Sequence, residues 1–158
     1  MRNGFTIIEL IFVIVVLGIL AGVALPKFGQ TAVQAMVASG KADVSAVRSA
    51  ILAERQKRII KGDSTYITPA NLNAGTGVFG GVLTYSKQDS TAPGKWHLVA
   101  TTATTSTYNY NIDNVNVVFN YYQVDTTVGA TLYKAGTFTC NPGTEATQAE
   151  KYCARMIY

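Results

Sequence analysis

The chain has few of the side chains that catalysis and metal binding need. Its 158 residues include one histidine, His97, and two cysteines, Cys140 and Cys153. One histidine that is distant in sequence from both cysteines does not give the ligand spacing of a zinc site. No Ser-His-Asp set and no metal motif appears either. We therefore expect a protein that is not an enzyme, with no catalytic residue, no metal and no cofactor.

Charged residues are also scarce. Asp, Glu, Lys and Arg make up 14% of the chain, and the formal net charge is +4. This mild charge is compatible with weak attraction to DNA, which nothing else in the sequence supports. The pattern from Gly75 through Gly77 to Gly80 has the spacing of a nucleotide fingerprint. Because it follows no clear strand, we expect no nucleotide.

What the sequence does contain is one long apolar run near its start. Residues 5–25 carry one ionisable side chain, Glu9, and Pro26 follows them. A helix of this length spans about 32 Å, enough to cross a bilayer core of about 30 Å. The alternative is a secretory signal, but a cut at residues 21–24 would divide a helical pattern that continues beyond Pro26. The run therefore predicts a membrane span.

The residues at the start of this run resemble the type IV pilin and pseudopilin family. Gly4, Phe5, Thr6 and Glu9 stand in the order and spacing of that family's N-terminal motif. The resemblance implies that residues 1–4 are a leader, which a prepilin peptidase removes after Gly4. It also implies that the peptidase methylates the new terminal amine of Phe5. The precursor would then cross the bacterial inner membrane once, and Arg2 agrees with the positive-inside tendency.

Three further residues take implied roles from the same resemblance. A carboxylate in hydrocarbon is costly, so the carboxylate of Glu9 either snorkels or finds a cation. The resemblance implies that Glu9 attracts the amine of Phe5 on a neighbouring subunit and so sets the assembly register. It also implies local unwinding of the helix between Gly18 and Pro26. The alternative there is a plain kink, or close packing of helices at small residues.

The function that the resemblance implies is structural. It predicts a subunit of a type IV pilus or related filament, which polymerises with copies of itself through the apolar N-terminal helix at an inner-membrane assembly platform. The filament would be extracellular or would span the periplasm, and adhesion, motility, DNA uptake or secretion would be its use. One alternative is a pseudopilin of type II secretion or a competence system. Another is a membrane-tethered periplasmic binding domain with an uncleaved anchor.

The two cysteines fit an exported compartment. Cys140 and Cys153 have twelve residues between them, and such pairs are usually oxidised in exported domains. Pilins commonly have a C-terminal bridge that closes a loop, so the resemblance implies a disulfide here. Major pseudopilins of type II secretion more often lack the bridge and bind calcium. The cysteine pair therefore favours a pilin over that branch.

Periodicity predicts the rest of the fold. Apolar residues at helical spacing form a stripe that continues the helix to residues 60–61, where Gly62 stops it. The stripe comprises Val33, Met36, Val37, Gly40, Val44, Val47 and Ile51. Residues 62–95 predict an irregular loop, with a short helix that begins at Thr68-Pro69. Residues 96–139 alternate with period two, which predicts strands separated by turns at residues 101–107, 113–114 and 125–129.

The predicted fold class is α+β, with a long N-terminal helix packed on a mainly antiparallel sheet of about four strands. We expect residues 5–26 to be the transmembrane and filament-core helix. Residues 27–158 would hold the amphipathic part of the helix and a globular pilin head. That head would consist of the loop 62–95, the sheet 96–139 and a cysteine loop at 140–153.

Overall fold

The computed structural model describes residues 5–158, without the side chains of residues 25–28. The leader expected at residues 1–4 lies outside the described residues. The chain divides into two compact units, Met1–Ala35 and Met36–Tyr158, and we call the second the head unit. In chain order the elements are α1 (Ile7–Ile60), α2 (Pro69–Leu72), β1 (Trp96–Thr101), β2 (Thr105–Ile112), β3 (Val115–Tyr122), β4 (Thr126–Val128), β5 (Thr131–Tyr133), β6 (Thr137–Cys140) and α3 (Gln148–Ile157).

The C-terminal part of α1 supplies one side of the head core. Two residues of the predicted stripe, Val33 and Met36, are half-buried, and the other five are buried. Since residues three and four apart share a helix face, this burial confirms that the stripe is core. The buried members are Val37, Gly40, Val44, Val47 and Ile51.

Aromatic side chains of the sheet supply the opposite side of that core. The rings of Trp96 and Tyr110 lie 4.8 Å apart, and Phe79 from the loop before the sheet lies 4.6 Å from Tyr108. All four side chains are at most 1% exposed. The indole nitrogen of Trp96 donates to Asp43 of α1 at 3.0 Å, so the polar atom of this buried ring is satisfied.

The main sheet has four antiparallel strands in the order β1-β2-β3-β6. Ile112 pairs with Val115 across a turn whose two central residues, Asp113 and Asn114, have φ of 50° and 65°. Positive φ at both positions is the geometry of a tight two-residue hairpin, which Asp and Asn tolerate well. The predicted turn at residues 113–114 and the predicted strand number are confirmed.

Three of the predicted turns and strands differ from the structure. Residues 125–129 were expected to be a turn, but Thr126–Val128 form β4 and the turn follows at 129–130. Residues 101–107 were expected to be an exposed turn, but only 102–104 are, since Thr105 begins β2 and Ser106 is wholly buried. The Ser106 hydroxyl contacts the Thr101 hydroxyl at 3.1 Å and accepts a hydrogen bond from the side-chain amide of Asn73 at 3.4 Å. Residues 131–139 were expected to be one strand. They contain β5, which pairs with β4 in a separate hairpin, and β6, which joins the main sheet.

The C-terminal tail is more ordered than its composition predicts. Cys140 and Cys153 form the expected disulfide, with their Cα atoms 5.9 Å apart. The bridge joins the end of β6 to α3, a helix that the sequence interpretation missed. Thr147 and Glu150 form a complete capping box at its start, which satisfies two backbone N–H groups of the first turn.

Candidate assembly site

The first part of α1 presents apolar side chains that nothing in the described chain covers. Fourteen large apolar residues between Phe5 and Val23 are exposed, with Phe5 and Ile7 each 80% exposed. By length and composition α1 contains a segment that qualifies as a membrane span, and none of its most apolar stretch is buried. We call the described residues 5–23 the apolar segment. Its side chains require lipid or other protein as a partner.

Thr6 begins the helix of this apolar segment. Its hydroxyl accepts a hydrogen bond from the backbone N–H of Glu9 at 3.3 Å, and its carbonyl accepts one from Leu10 at 3.2 Å. Thr6 is therefore the N-cap, and Glu9 occupies the third helical position. The sequence interpretation used Thr6 only as a member of the family motif. Its capping role could have been recognised from the Thr-x-x-Glu pattern.

The carboxylate of Glu9 is left free by this cap. Among the residues that the structure describes, it has no hydrogen bond and no ion pair, and the residue is exposed. The same Thr-x-x-Glu pattern at α3 behaves differently, because there the Glu150 carboxylate accepts from the backbone N–H of Thr147 at 3.0 Å. Glu9 thus stands one turn after Phe5 with its charge uncommitted.

The two predicted helix-weakening positions lie within α1. An added Cβ at Gly18 would meet no atom within 4 Å. Proline contributes no N–H to the helix, so Pro26 leaves one carbonyl of the preceding turn without its usual partner. The backbone is helical at both positions. Unwinding between them stays a prediction.

The basic residues at the end of α1 have partners inside the head unit. Arg58 lies 3.5 Å from Glu54 and 3.4 Å from Asp63, while Arg55 donates to the hydroxyl of Tyr66 and lies over its ring. Hydrogen bonds from Thr65 lower the pKa of Asp63, and Arg58 adds to this effect. Arg55 and Arg58 are therefore engaged within the head unit, at a helix end where cations also suit the negative end of the helix dipole.

Other chemistry-bearing residues are dispersed over the head unit. His97 contacts Asp89 at 2.8 Å on the surface beside β1. Within residues 5–158, no three His, Cys, Asp or Glu side chains are grouped so that they could hold a metal ion. Two glycines of the fingerprint-like pattern serve backbone packing, since a Cβ at Gly77 would collide with the carbonyl of Lys87 and one at Gly80 with that of Ala74. The arrangement that remains as a functional site is the apolar segment with Phe5 and Glu9.

Two comparisons with known proteins gave a match. Residues 1–25 match the prokaryotic N-terminal methylation motif. The chain is also 42% identical over 69 residues to the major component of the type IV narrow pilus of Thermus thermophilus. The chain is thus similar to a type IV pilin over part of its length. The alignment covers 42% of this chain and 60% of the Thermus pilin, so the chain spans less than two thirds of that relative's length. No solved structure matches the chain.

Proposed function

We propose that the chain is a structural subunit of a type IV pilus or related filament, which polymerises through its apolar N-terminal helix. The observation that carries this proposal is the exposure of fourteen large apolar side chains in the apolar segment. Surfaces of this kind mark membrane or protein contact sites, since soluble monomers seldom expose them. The relative that forms the major component of a narrow pilus supports a filament as the final partner.

The segment would serve first as an anchor and then as filament core. As a precursor it would cross the inner membrane once, with residues 1–4 on the cytoplasmic side. A prepilin peptidase would cut between Gly4 and Phe5, and an assembly platform would move the segment from lipid to the filament. Apolar side chains would then exchange lipid contacts for contacts with the same segment of other copies. Local unwinding between Gly18 and Pro26 would let the helix adapt to this new packing.

Cleavage would give Glu9 its partner. The new terminal amine of Phe5 is a cation at the depth of the Glu9 carboxylate, whose oxygens the Thr6 cap leaves free. An amine and a carboxylate on different subunits would attract each other strongly, because little water is present to screen them. This pairing would align each incoming subunit with the previous one.

The intact mass of the native protein tests the processing step. We expect the protein from its native cell to lack residues 1–4 and to carry one added methyl group on Phe5. A native mass that retains residues 1–4, in cells with an active prepilin peptidase, would overturn the proposed cleavage. That result would favour a membrane-tethered binding domain with an uncleaved anchor.

A charge-neutral substitution tests the role of Glu9. Since Glu9→Gln keeps the shape and removes the charge, we expect the association constant of each assembly step to fall about tenfold, equivalent to about 1.4 kcal/mol, and the yield of sheared filaments to fall with it. Glu145→Gln is the matched control, because Glu145 is an exposed carboxylate in the head unit. Filament yield is measured by electron microscopy and by quantifying sheared material. Equal yields from the two variants and the wild type would contradict the pairing.

The same micrographs separate the pilus from its alternative. A pilus subunit should form abundant surface filaments in the wild type. A pseudopilin of type II secretion or a competence system should leave few filaments outside the cell at native expression. The Cys140–Cys153 bridge supports the pilus, because major pseudopilins more often lack it.

A further inference from the structure

The head unit contains a groove on the side of the sheet that faces away from the aromatic core. Its volume is about 380 Å³, within the usual range of small-molecule sites. The floor is β3, one wall is the β4–β5 hairpin, and the other wall is Asn141 with the start of α3. The disulfide holds this second wall, since Cys153 lines the groove and is bonded to Cys140 at the end of β6.

Neutral hydrogen-bonding groups line the floor. Asn116 is exposed, and its amide makes no hydrogen bond to any other described residue. Asn120 accepts from the Thr107 hydroxyl at 2.9 Å through its oxygen, which leaves its NH₂ group available. A side-chain amide supplies two donors and an acceptor oxygen. The floor therefore offers donors and acceptors with fixed spacing along one strand.

An aromatic pair and two valines complete the lining. The rings of Tyr122 and Tyr133 stack with centroids 4.8 Å apart and planes 17° apart. Val118 and Val128 beside them are 47% and 52% exposed. The groove thus combines an apolar surface with adjacent amides, which is the arrangement that orients a ligand with one apolar face and several hydroxyls.

The charge of the lining narrows the ligand class. Glu150 is the one charged residue among the described lining residues, and its carboxylate is engaged in the capping box of α3. No Lys or Arg side chain is among the lining residues that the structure describes, so they offer no counter-charge to a phosphate or an acidic polymer. The face of β3, rather than its edge, lines the groove, so a peptide could not add as a further strand.

We propose that this groove binds a neutral saccharide unit, with Asn116 and Asn120 bonding its hydroxyls and Tyr133 contacting its apolar face. The ligand would come from a cell-surface or extracellular glycan. Binding at this groove is a property of the head unit, and it does not depend on the filament role of the apolar segment.

Saturation-transfer NMR on the full chain in phosphocholine micelles tests the proposal, since sugar-based detergents would compete. The probes are glucose, galactose and N-acetylglucosamine, each at millimolar concentration. We expect at least one probe to receive saturation and to bind at least about fivefold more weakly to the Asn116→Ala variant, the usual effect of losing one neutral hydrogen bond. Tyr133→Ala should weaken binding similarly, whereas Tyr133→Phe should retain the contact with the ring.

Asn109→Ala is the matched control. Asn109 lies on β2 opposite Val118, on the same face of the sheet, but it does not line the groove. Trp96 fluorescence establishes that each variant keeps its folded core. The proposal is overturned if no probe receives saturation. It is also overturned if folded Asn116→Ala and Asn109→Ala bind a probe as tightly as the wild type does.

Discussion

Replacing Gly40 by alanine tests how α1 packs on the sheet. A Cβ at this position would lie 2.5 Å from both Cε1 of Tyr110 and Cε of Met156. The methionine is flexible and can move, but the tyrosine is fixed from two sides. Its hydroxyl donates to the carbonyl of Met36 at 2.9 Å, and its ring packs against Trp96.

The expected destabilisation follows from three terms. Overpacking a core costs about 1–3 kcal/mol. Displacing Tyr110 would also weaken its hydrogen bond to Met36, at a cost of about 1 kcal/mol. Alanine favours a helix over glycine by about 1 kcal/mol, which opposes these costs. We therefore expect Gly40→Ala to lower the free energy of unfolding by about 1–3 kcal/mol.

Urea unfolding of the full chain in micelles, followed by the fluorescence of buried Trp96, measures this change. Ala38→Gly is the matched control, because Ala38 is exposed on the same helix and reports propensity alone. That control should lose about 1 kcal/mol. A Gly40→Ala variant that is more stable than the wild type would refute the reasoning. In that case the higher helix propensity of alanine would outweigh the cost of overpacking, and the close approach of Tyr110 to α1 would not constrain residue 40.

Two further predictions concern the rest of the head unit. Replacing Cys140 and Cys153 together by serine should lower the free energy of unfolding by about 2–4 kcal/mol in urea titrations. Dithiothreitol should lower the free energy of unfolding of the wild type by the same amount and leave that of the double variant unchanged. A decrease in the double variant on adding the reductant would contradict this prediction. Burial raises the pKa of Tyr108 to about 12. The phenol of the unfolded chain ionises near pH 10. The free energy of unfolding should therefore be unaffected by Tyr108 below pH 10 and should fall by about 3 kcal/mol as the pH rises to about 12. Tyr108→Phe should remove that part of the alkaline loss, and an unchanged pH profile would contradict the assignment.

The helix and the strand faces could be predicted because their burial follows simple periods. Val44, Val47 and Ile51 recur at helical spacing, and all three are at most 1% exposed. Tyr108, Tyr110 and Ile112 alternate along β2 and are wholly buried. In both cases apolar side chains face the core, so the pattern of residue types and the pattern of burial coincide.

The structure differs from the sequence prediction where a polar residue is buried and where a capping box stabilises a helix. Ser106 is wholly buried in β2 because Thr101 and Asn73 satisfy its hydroxyl, a tertiary arrangement that a run of threonines does not reveal. The tail has too few apolar residues at helical spacing to predict a helix. The Thr147-x-x-Glu150 box was the available signal, and the disulfide holds the resulting helix against the sheet.

The candidate assembly site, too, was only partly predictable from the sequence. The sequence motif predicts Phe5 and Glu9 as site residues, and residues 1–25 match the methylation motif, but the roles of the two residues stay predictions. The motif alone did not show that Thr6 caps the helix through its hydroxyl, while the Glu9 carboxylate has no partner among residues 5–158. The groove over β3 could not be anticipated, since its lining comes from strands, a hairpin and a helix that are distant in sequence.

The burial of Val44, Val47 and Ile51 has a practical consequence for protein engineering. These side chains belong to the long helix by sequence but to the head unit by packing. A chimera that joins this helix to the sheet of a related protein at Gly62 would therefore pair a helix face and a sheet face whose side chains do not match. The natural junction lies between Ala35 and Met36, where a foreign head would bring its own helical wall with it.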